Sequence, residues 1–143
     1  MKFDSVQSAI DEIRNGQCVI IVDDADRENE GDIVMASELI TPDAVNFMAK
    51  YARGLICVSI SNQQAEKLSL NLMEKQNTGL HETNFTISVD KRTDTTTGIS
   101  AFDRSKTIRA LVDENSQGKD FARPGHIFPI IGKEGGVLRR AGH

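Results

Sequence analysis

The chain has 143 residues, 38% hydrophobic and 27% charged, with two cysteines, no tryptophan and a net charge of −4. That length suits one domain, residues 1–143, large enough for a core of its own, and the balance of residue types is that of a soluble globular protein. Net acidity with scattered basic residues argues against nucleic acid as a partner; no apolar leader or membrane-length run is present, and a cytoplasmic location is expected.

Residues 4–15 have the pattern of an amphipathic helix: Asp4 or Ser5 as cap, Val6, Ala9, Ile10 and Ile13 as apolar stripe, Gly16 as stop. Residues 17–22 follow as a strand whose four β-formers, from Val19 on, predict burial. Gly31 then permits a turn into a second short strand over 33–36. Between the strands, residues 23–32 read Asp-Asp-Ala-Asp-Arg-Glu-Asn-Glu-Gly-Asp, in which six of ten side chains are carboxylates. Two readings fit this run. It is a solvated acidic turn, or a site where a hard divalent cation relieves the repulsion of crowded carboxylates. An EF-hand loop starting at Asp24 is excluded, because Asn29 holds the required glycine position and Met35 the closing glutamate position. Arg27 favours a site, since a guanidinium fixed among carboxylates can present its fork to an anionic substrate.

Thr41-Pro42-Asp43 is a helix start, with Val45, Met48, Ala49 and Ala52 as the inward face and Gly54 as the stop. Residues 55–60 form a third strand. Cys57 within it, like Cys18 earlier, reads as a reduced, buried thiol rather than half of a disulfide. A short helix over 62–68 leads into an irregular polar segment that carries His81, read as a solvated loop histidine. Residues 85–89 alternate as a fourth strand and enter a hydroxyl-rich loop at 90–98. That loop fits either a polyol or phosphate, or a capped turn before the helix over 101–112.

In the last third, a proline inside 127–131 predicts an edge or irregular strand. Gly132, Gly135 and Gly136 beside Arg139 and Arg140 give a weak phosphate-binding signal without the fixed lysine and hydroxyl of a Walker A loop. His126 and His143 each follow a glycine. A histidine with carboxylates from a distant loop is a mixed ligand set for a divalent ion, and a second histidine can move protons near neutral pH.

Five blocks in order carry a family resemblance: Asp-Arg-Glu-Asn-Glu-Gly-Asp at 26–32, Gly-Leu-Ile-Cys-Val at 54–58, Thr-Thr-Gly-Ile-Ser-Ala-Phe-Asp-Arg at 96–104, Arg-Pro-Gly-His-Ile-Phe-Pro at 123–129 and Gly-Gly-Val-Leu-Arg-Arg-Ala-Gly-His at 135–143. Together they resemble 3,4-dihydroxy-2-butanone 4-phosphate synthase. The resemblance implies a compact α+β domain with a twisted mixed sheet flanked by helices. It implies a lyase of riboflavin biosynthesis that converts ribulose 5-phosphate to 3,4-dihydroxy-2-butanone 4-phosphate and formate. It further implies a homodimer using magnesium (manganese as the alternative) and no organic cofactor.

Carried over residue by residue, the resemblance makes Glu28 and His143 metal ligands that also touch substrate. Arg27 and Asp32 become substrate contacts, and Arg140, Ala141 and Gly142 hold the sugar phosphate. His126 is the catalytic residue, acting across the dimer interface, while Glu30, Cys57 and Thr97 line the site. The implied chemistry is proton removal beside the carbonyl to an enediolate, then dehydration, a skeletal shift and loss of formate.

The family continues past its Arg-Ala-Gly-His block with a threonine and a helical segment bearing a catalytic glutamate. Residues 1–143 are therefore expected to be a shortened family domain, weakly active or inactive alone, with a terminal His143 prone to fray. Fusion to a GTP cyclohydrolase II domain is compatible with the same resemblance. Two other classes stay open at this level: a non-catalytic binder of metal and sugar phosphate, and a structural dimerisation domain.

Overall fold

The computed structural model describes residues 3–136 and residue 139. In chain order its elements are helix α1 (Val6–Arg14), strands β1 (Val19–Val22) and β2 (Gly31–Val34), helix α2 (Pro42–Phe47), strand β3 (Cys57–Ile60), helix α3 (Asn62–Lys67), strand β4 (Val89–Lys91), helix α4 (Ala101–Val112) and strand β5 (Phe121–Ile131). Side-chain caps start each helix: Ser5, Thr41, Ser61 and Ser100 accept from the amides of Ser8, Ala44, Gln64 and Asp103. Pro42 occupies the first turn of α2 as its sequence position predicts.

β1 and β2 pair antiparallel as a hairpin of their own, with Ile20 opposite Ile33. The main sheet has the order β3-β5-β4; β3 runs parallel to β5 and β4 antiparallel to it, so the sheet is mixed as expected. Helix α4 packs on it. Ile108 and Leu111 share one buried core with Val58, Ile60, Val89, Phe121 and Ile127, and α2 adds Val45. Each such aliphatic or aromatic side chain removed from water contributes about 1.5–3 kcal/mol. The Thr107 hydroxyl ties α4 to β4 by accepting from the Lys91 amide (2.9 Å) while donating to the Asp103 carbonyl (3.1 Å).

Several expectations need correction. The strand over β1 is real but not buried: Ile20 is 71% exposed, because a two-stranded ribbon separate from the main sheet has little to cover it. On α1, Ala9 and Ile13 are half-buried, whereas Val6 and Ile10 are exposed. Helix α2 continues as a π turn, Met48–Ala52, and Arg53 rather than Gly54 takes the left-handed conformation that ends it (φ 59°); Ala52 is exposed. The fourth strand begins at Val89, while Phe85 and Thr86 form only isolated bridges, to Ile130 and Leu72.

The largest correction concerns β5. Of the two expectations, edge or irregular strand, the irregular one is observed: β5 is the central strand, with a register shift against β4. Pro129 is tolerated there because its carbonyl still accepts from the Thr86 amide (2.9 Å) and hydroxyl (3.2 Å). On the β4 side Val89 pairs with Ile127 but Asp90 pairs with Ala122, so residues 123–126 loop out of the ladder as an extended bulge containing the cis Arg123–Pro124 bond. Gly125 packs so tightly on the backbone of Val89 and Asp90 that a methyl group would overlap it. Gly125→Ala is expected to lower stability by about 1–3 kcal/mol, as is usual for overpacking, read as a lower urea midpoint at unchanged slope. A wild-type midpoint would show that the bulge relaxes freely.

Candidate active site

The acidic hairpin tip is built around Asp23. Its carboxylate accepts from the Arg27 guanidinium (Nη1, 2.6 Å), the Glu28 amide (3.1 Å) and the Glu30 amide (2.9 Å). The Glu30 amide bond, with help from Arg27 and the Glu28 amide, holds this carboxyl below the usual range although burial pushes it upward. Asp24 turns the chain with its carboxylate on the Asp26 amide and its carbonyl on the Arg27 and Asn29 amides. Asn29 takes a left-handed conformation, φ 54°. A run that looks like bare repulsion is thus an ordered loop.

Arg27 bridges. Its Nη2 donates to Glu28 Oε1 at 2.7 Å, and the same oxygen meets His81 Nε2 at 3.2 Å. His81 is an exposed loop residue, as expected, and its contact with Glu28 is an addition to that reading. Below the tip, Asp32 of β2 lies near Cys57 of β3. Cys57 is on the exposed face of its strand, not in the core as expected. Desolvation of its sulfur, reinforced by the Asp32 charge, pushes the thiol up to about 11. Cys18, half-buried, contacts the Met35 sulfur at 3.9 Å, and both thiols are free.

A second cluster forms where β5 bulges. Cys57 pairs with Phe128, two residues beyond His126, so the hairpin and the bulge meet the same end of the β3–β5 ladder. His126 Nδ1 stands 2.7 Å from Asp90 Oδ2, and the His126 amide donates to Asp90 Oδ1 at 2.9 Å. The Ser88 hydroxyl accepts from the Gly125 amide. On its other side Asp90 is backed by Gly98, at φ 88°, where any side chain would collide with the carboxylate. That turn is fixed by Asp103, which is 1% exposed and accepts from the Thr96 amide and hydroxyl and from the Gly98 amide. Of the two readings of the hydroxyl-rich loop, the capped turn is therefore built, and a cleft of about 220 Å³ beside it is lined by Asp90, Thr96, Thr97 and Gly98.

Arg27 and Glu28 are thus brought together and Asp32 is set beside Cys57. Glu30 contributes its backbone to Asp23, and exposed Thr97 lines the cleft. Arg140, Ala141, Gly142 and His143 lie outside the described residues. Gly135, at φ 86°, packs against the Arg139 side chain. Sequence reading missed His81 and Asp90; no spacing signals a contact across 36 residues, and only the position of Asp90 at the head of a polar loop hinted at it. A larger cavity of about 550 Å³ is lined by neither Glu28 nor His126.

A family model described as 3,4-dihydroxy-2-butanone 4-phosphate synthase matches residues 7–143. The chain belongs to this family. The riboflavin biosynthesis protein RibBA of Cytophaga hutchinsonii is 56% identical over 144 residues, covering 100% of this chain and 36% of that protein. The 3,4-dihydroxy-2-butanone 4-phosphate synthase of Helicobacter hepaticus is 55% identical over 138 residues, covering 96% of this chain and 39% of that one. Among solved structures, a 3,4-dihydroxy-2-butanone 4-phosphate synthase in complex with two magnesium ions superposes with a TM-score of 0.96 at 39% identity, over 99% of this chain and 66% of that one. The corresponding enzyme of Candida albicans gives 0.89 at 42%. The chain spans little more than a third of the length of the curated relatives it matches.

For a synthase of this family the donor chemistry at the hairpin tip fits magnesium. Glu28 offers carboxylate oxygen, and magnesium commonly binds through one or two carboxylates while keeping water and substrate oxygens. Among the described residues no group of three or more His, Cys, Asp or Glu side chains is gathered to hold a metal.

The Asp103 carboxyl is held below the usual range, first by the Thr96 hydroxyl and then by the Gly98 and Thr96 amides, against desolvation. A depressed folded-state value means its contribution to stability is complete above the unfolded value of about 3.9 and is lost as pH falls through the lower folded value. Asp103→Asn is expected to be less stable than wild type at neutral pH, the gap narrowing below about pH 4. Urea melts across pH check this, and a gap independent of pH would refute it.

Proposed function

We propose that the full-length protein converts ribulose 5-phosphate to 3,4-dihydroxy-2-butanone 4-phosphate and formate as a step of riboflavin biosynthesis, and that residues 1–143 are the part of the family domain that carries most of its site. The observation that carries this reading, beyond family membership, is the Arg27–Glu28 pair held rigidly by Asp23 at the hairpin tip. A guanidinium locked between two carboxylates costs little reorganisation when an anionic, hydroxyl-rich sugar arrives.

In this reading Glu28 and His143 hold magnesium, with manganese as the alternative, and no organic cofactor takes part. Bound there, the metal supplies Lewis-acid polarisation of the sugar carbonyl. Arg27, Glu28 and Asp32 orient the hydroxyl-bearing carbons, and Glu30, Cys57 and Thr97 line the site. Arg140, the backbone of Ala141 and Gly142, and His143 hold the phosphate end. His126, with Nδ1 turned to Asp90, uses Nε2 to take up and return protons at the carbons beside the carbonyl. The protein works as a homodimer in which His126 serves the site of the partner subunit. Its two free cysteines fit a reducing, cytoplasmic setting. No helix among the described residues is long and apolar enough to cross a membrane.

The test is formate release from ribulose 5-phosphate by the full-length protein with and without magnesium. Activity should depend on the metal, and Arg27→Ala and Glu28→Ala should each lower it by about 10²-fold or more. Metal-independent or unchanged rates would refute the reading. Sharing of sites across the dimer has its own check: inactive Glu28→Gln and inactive His126→Ala proteins, dissociated and reassembled together, should regain activity that neither has alone. No recovery in verified mixed dimers would confine each site to one chain.

A further inference from the structure

We propose that the cavity of about 550 Å³ between α4, Glu38 and the end of β4 is a second binding site, built for a small phosphate ester that carries hydroxyl groups on its carbon frame. Its size falls in the range of roughly 300–1,000 Å³ usual for small-molecule sites. Three cations line it, Lys91, Lys106 and Arg109, with three acids, Glu38, Asp94 and Asp113. The charges that the fold has not already used decide the ligand. Asp94 neutralises Lys91 (3.2 Å), and Asp113 turns its carboxylate onto the Asn115 amide (2.8 Å) and side chain (3.1 Å). Lys106 gives one donor to the Asp94 carbonyl and lies over the Phe102 ring, which places the ammonium group without neutralising it. Arg109 spends only Nε, on the Ile40 carbonyl (2.8 Å); among the described residues its two terminal nitrogens have no partner. Ser116 is 8% exposed, and its hydroxyl likewise has no hydrogen-bond partner among the described residues. A nearly buried hydroxyl left unpaired at a cavity wall calls for a partner from outside the chain. Two unspent cations beside that hydroxyl match the acceptor oxygens of a phosphate. The Glu38 carboxylate, without an ion pair among the described residues, disfavours a bare anion and accepts from hydroxyls, so the ligand joins a phosphate to a hydroxyl-bearing frame.

Glycerol 3-phosphate is a compact probe of this chemistry. Lys91 lines both this cavity and the smaller cleft beside Asp90, so the signals to follow are those of residues that line the larger one alone. The full-length protein, labelled with nitrogen-15, is titrated with the probe at constant ionic strength while NMR records the amides of Glu38, Arg109, Val112 and Ser116. These signals should move together along one saturable curve. Arg109→Gln and Lys106→Gln should each weaken binding by about tenfold or more, as expected for loss of a hydrogen bond from a charged group. Ser116→Ala, which removes no charge and no hydrogen bond of the fold, should weaken it by about threefold. Inorganic phosphate, lacking hydroxyls on a carbon frame, should bind more weakly than the ester. Arg27→Ala, which alters the hairpin tip, should leave the curve as it is. No saturable movement in wild type, a curve unmoved by both Arg109→Gln and Lys106→Gln, or one abolished by Arg27→Ala would overturn the site. Equal affinity for inorganic phosphate would overturn its assignment to a hydroxyl-bearing ester. The wild-type titration decides the first point without turnover and without a variant that folds.

Discussion

Strand β5 is hydrogen-bonded along both edges, and that constraint organises the molecule. Its parallel register with β3 runs without interruption from Cys57–Phe128 to Ile60–Ile131. Its antiparallel register with β4 cannot, because one step along β4 corresponds to five along β5. The surplus must leave the sheet on the β4 side, and it contains His126. A histidine in a regular central strand would point either into the α4-covered core or flat along the open face. In the bulge it is turned toward Asp90 and held by its own main chain. The same parallel ladder brings Cys57, and with it Asp32 of the hairpin, to the end of the sheet from which the bulge emerges.

The acidic hairpin shows a second constraint, the need to order like charges. Crowded carboxylates can be reconciled by a cation, by proton uptake or by hydrogen-bond donors. Here Asp23 uses donors: two main-chain amides and a guanidinium converge on one carboxylate. These donors order the loop, and they leave the Glu28 side chain outside the Asp23 cluster. Arg27 and His81 share the Oε1 of Glu28, so that oxygen is held in a fixed orientation.

Local signals in the sequence were read well. Every helix start that a hydroxyl cap marked was found, the span of α4 was recovered, and strand–acidic loop–strand became the β1–β2 hairpin. These features depend on residues within one turn of each other. What failed depends on partners far away. Burial of β1 was inferred from Val19-Ile20-Ile21-Val22, but apolar content states only what a strand could bury, and a two-stranded ribbon has too few neighbours. Pro129 predicted an edge or irregular strand because a missing amide usually breaks a ladder; β5 is irregular yet central, and the carbonyl bonds of Pro129 to Thr86 could not be read from β5 alone. Cys57 looked like core because its neighbours Ile56 and Val58 are apolar, yet strand alternation turns it to the open face. The candidate site residues were named through family resemblance, and the contacts of Asp90 and His81 were not anticipated.

The division of labour among the acidic residues explains why short blocks of sequence can identify this family. In the block at 96–104 the buried carboxylate of Asp103 and the bare Cα of Gly98 present nothing to solvent; they hold a turn in place behind Asp90. In the block at 123–129, Gly125 gives the clearance and His126 the exposed imidazole. Such blocks mix displayed groups with the anchors that aim them. A protein that kept Arg27, Glu28 and His126 but lost Asp23, Asp103 or Gly98 would hold the same functional groups in loops without a fixed geometry. The anchors are therefore as much a part of these blocks as the groups they aim.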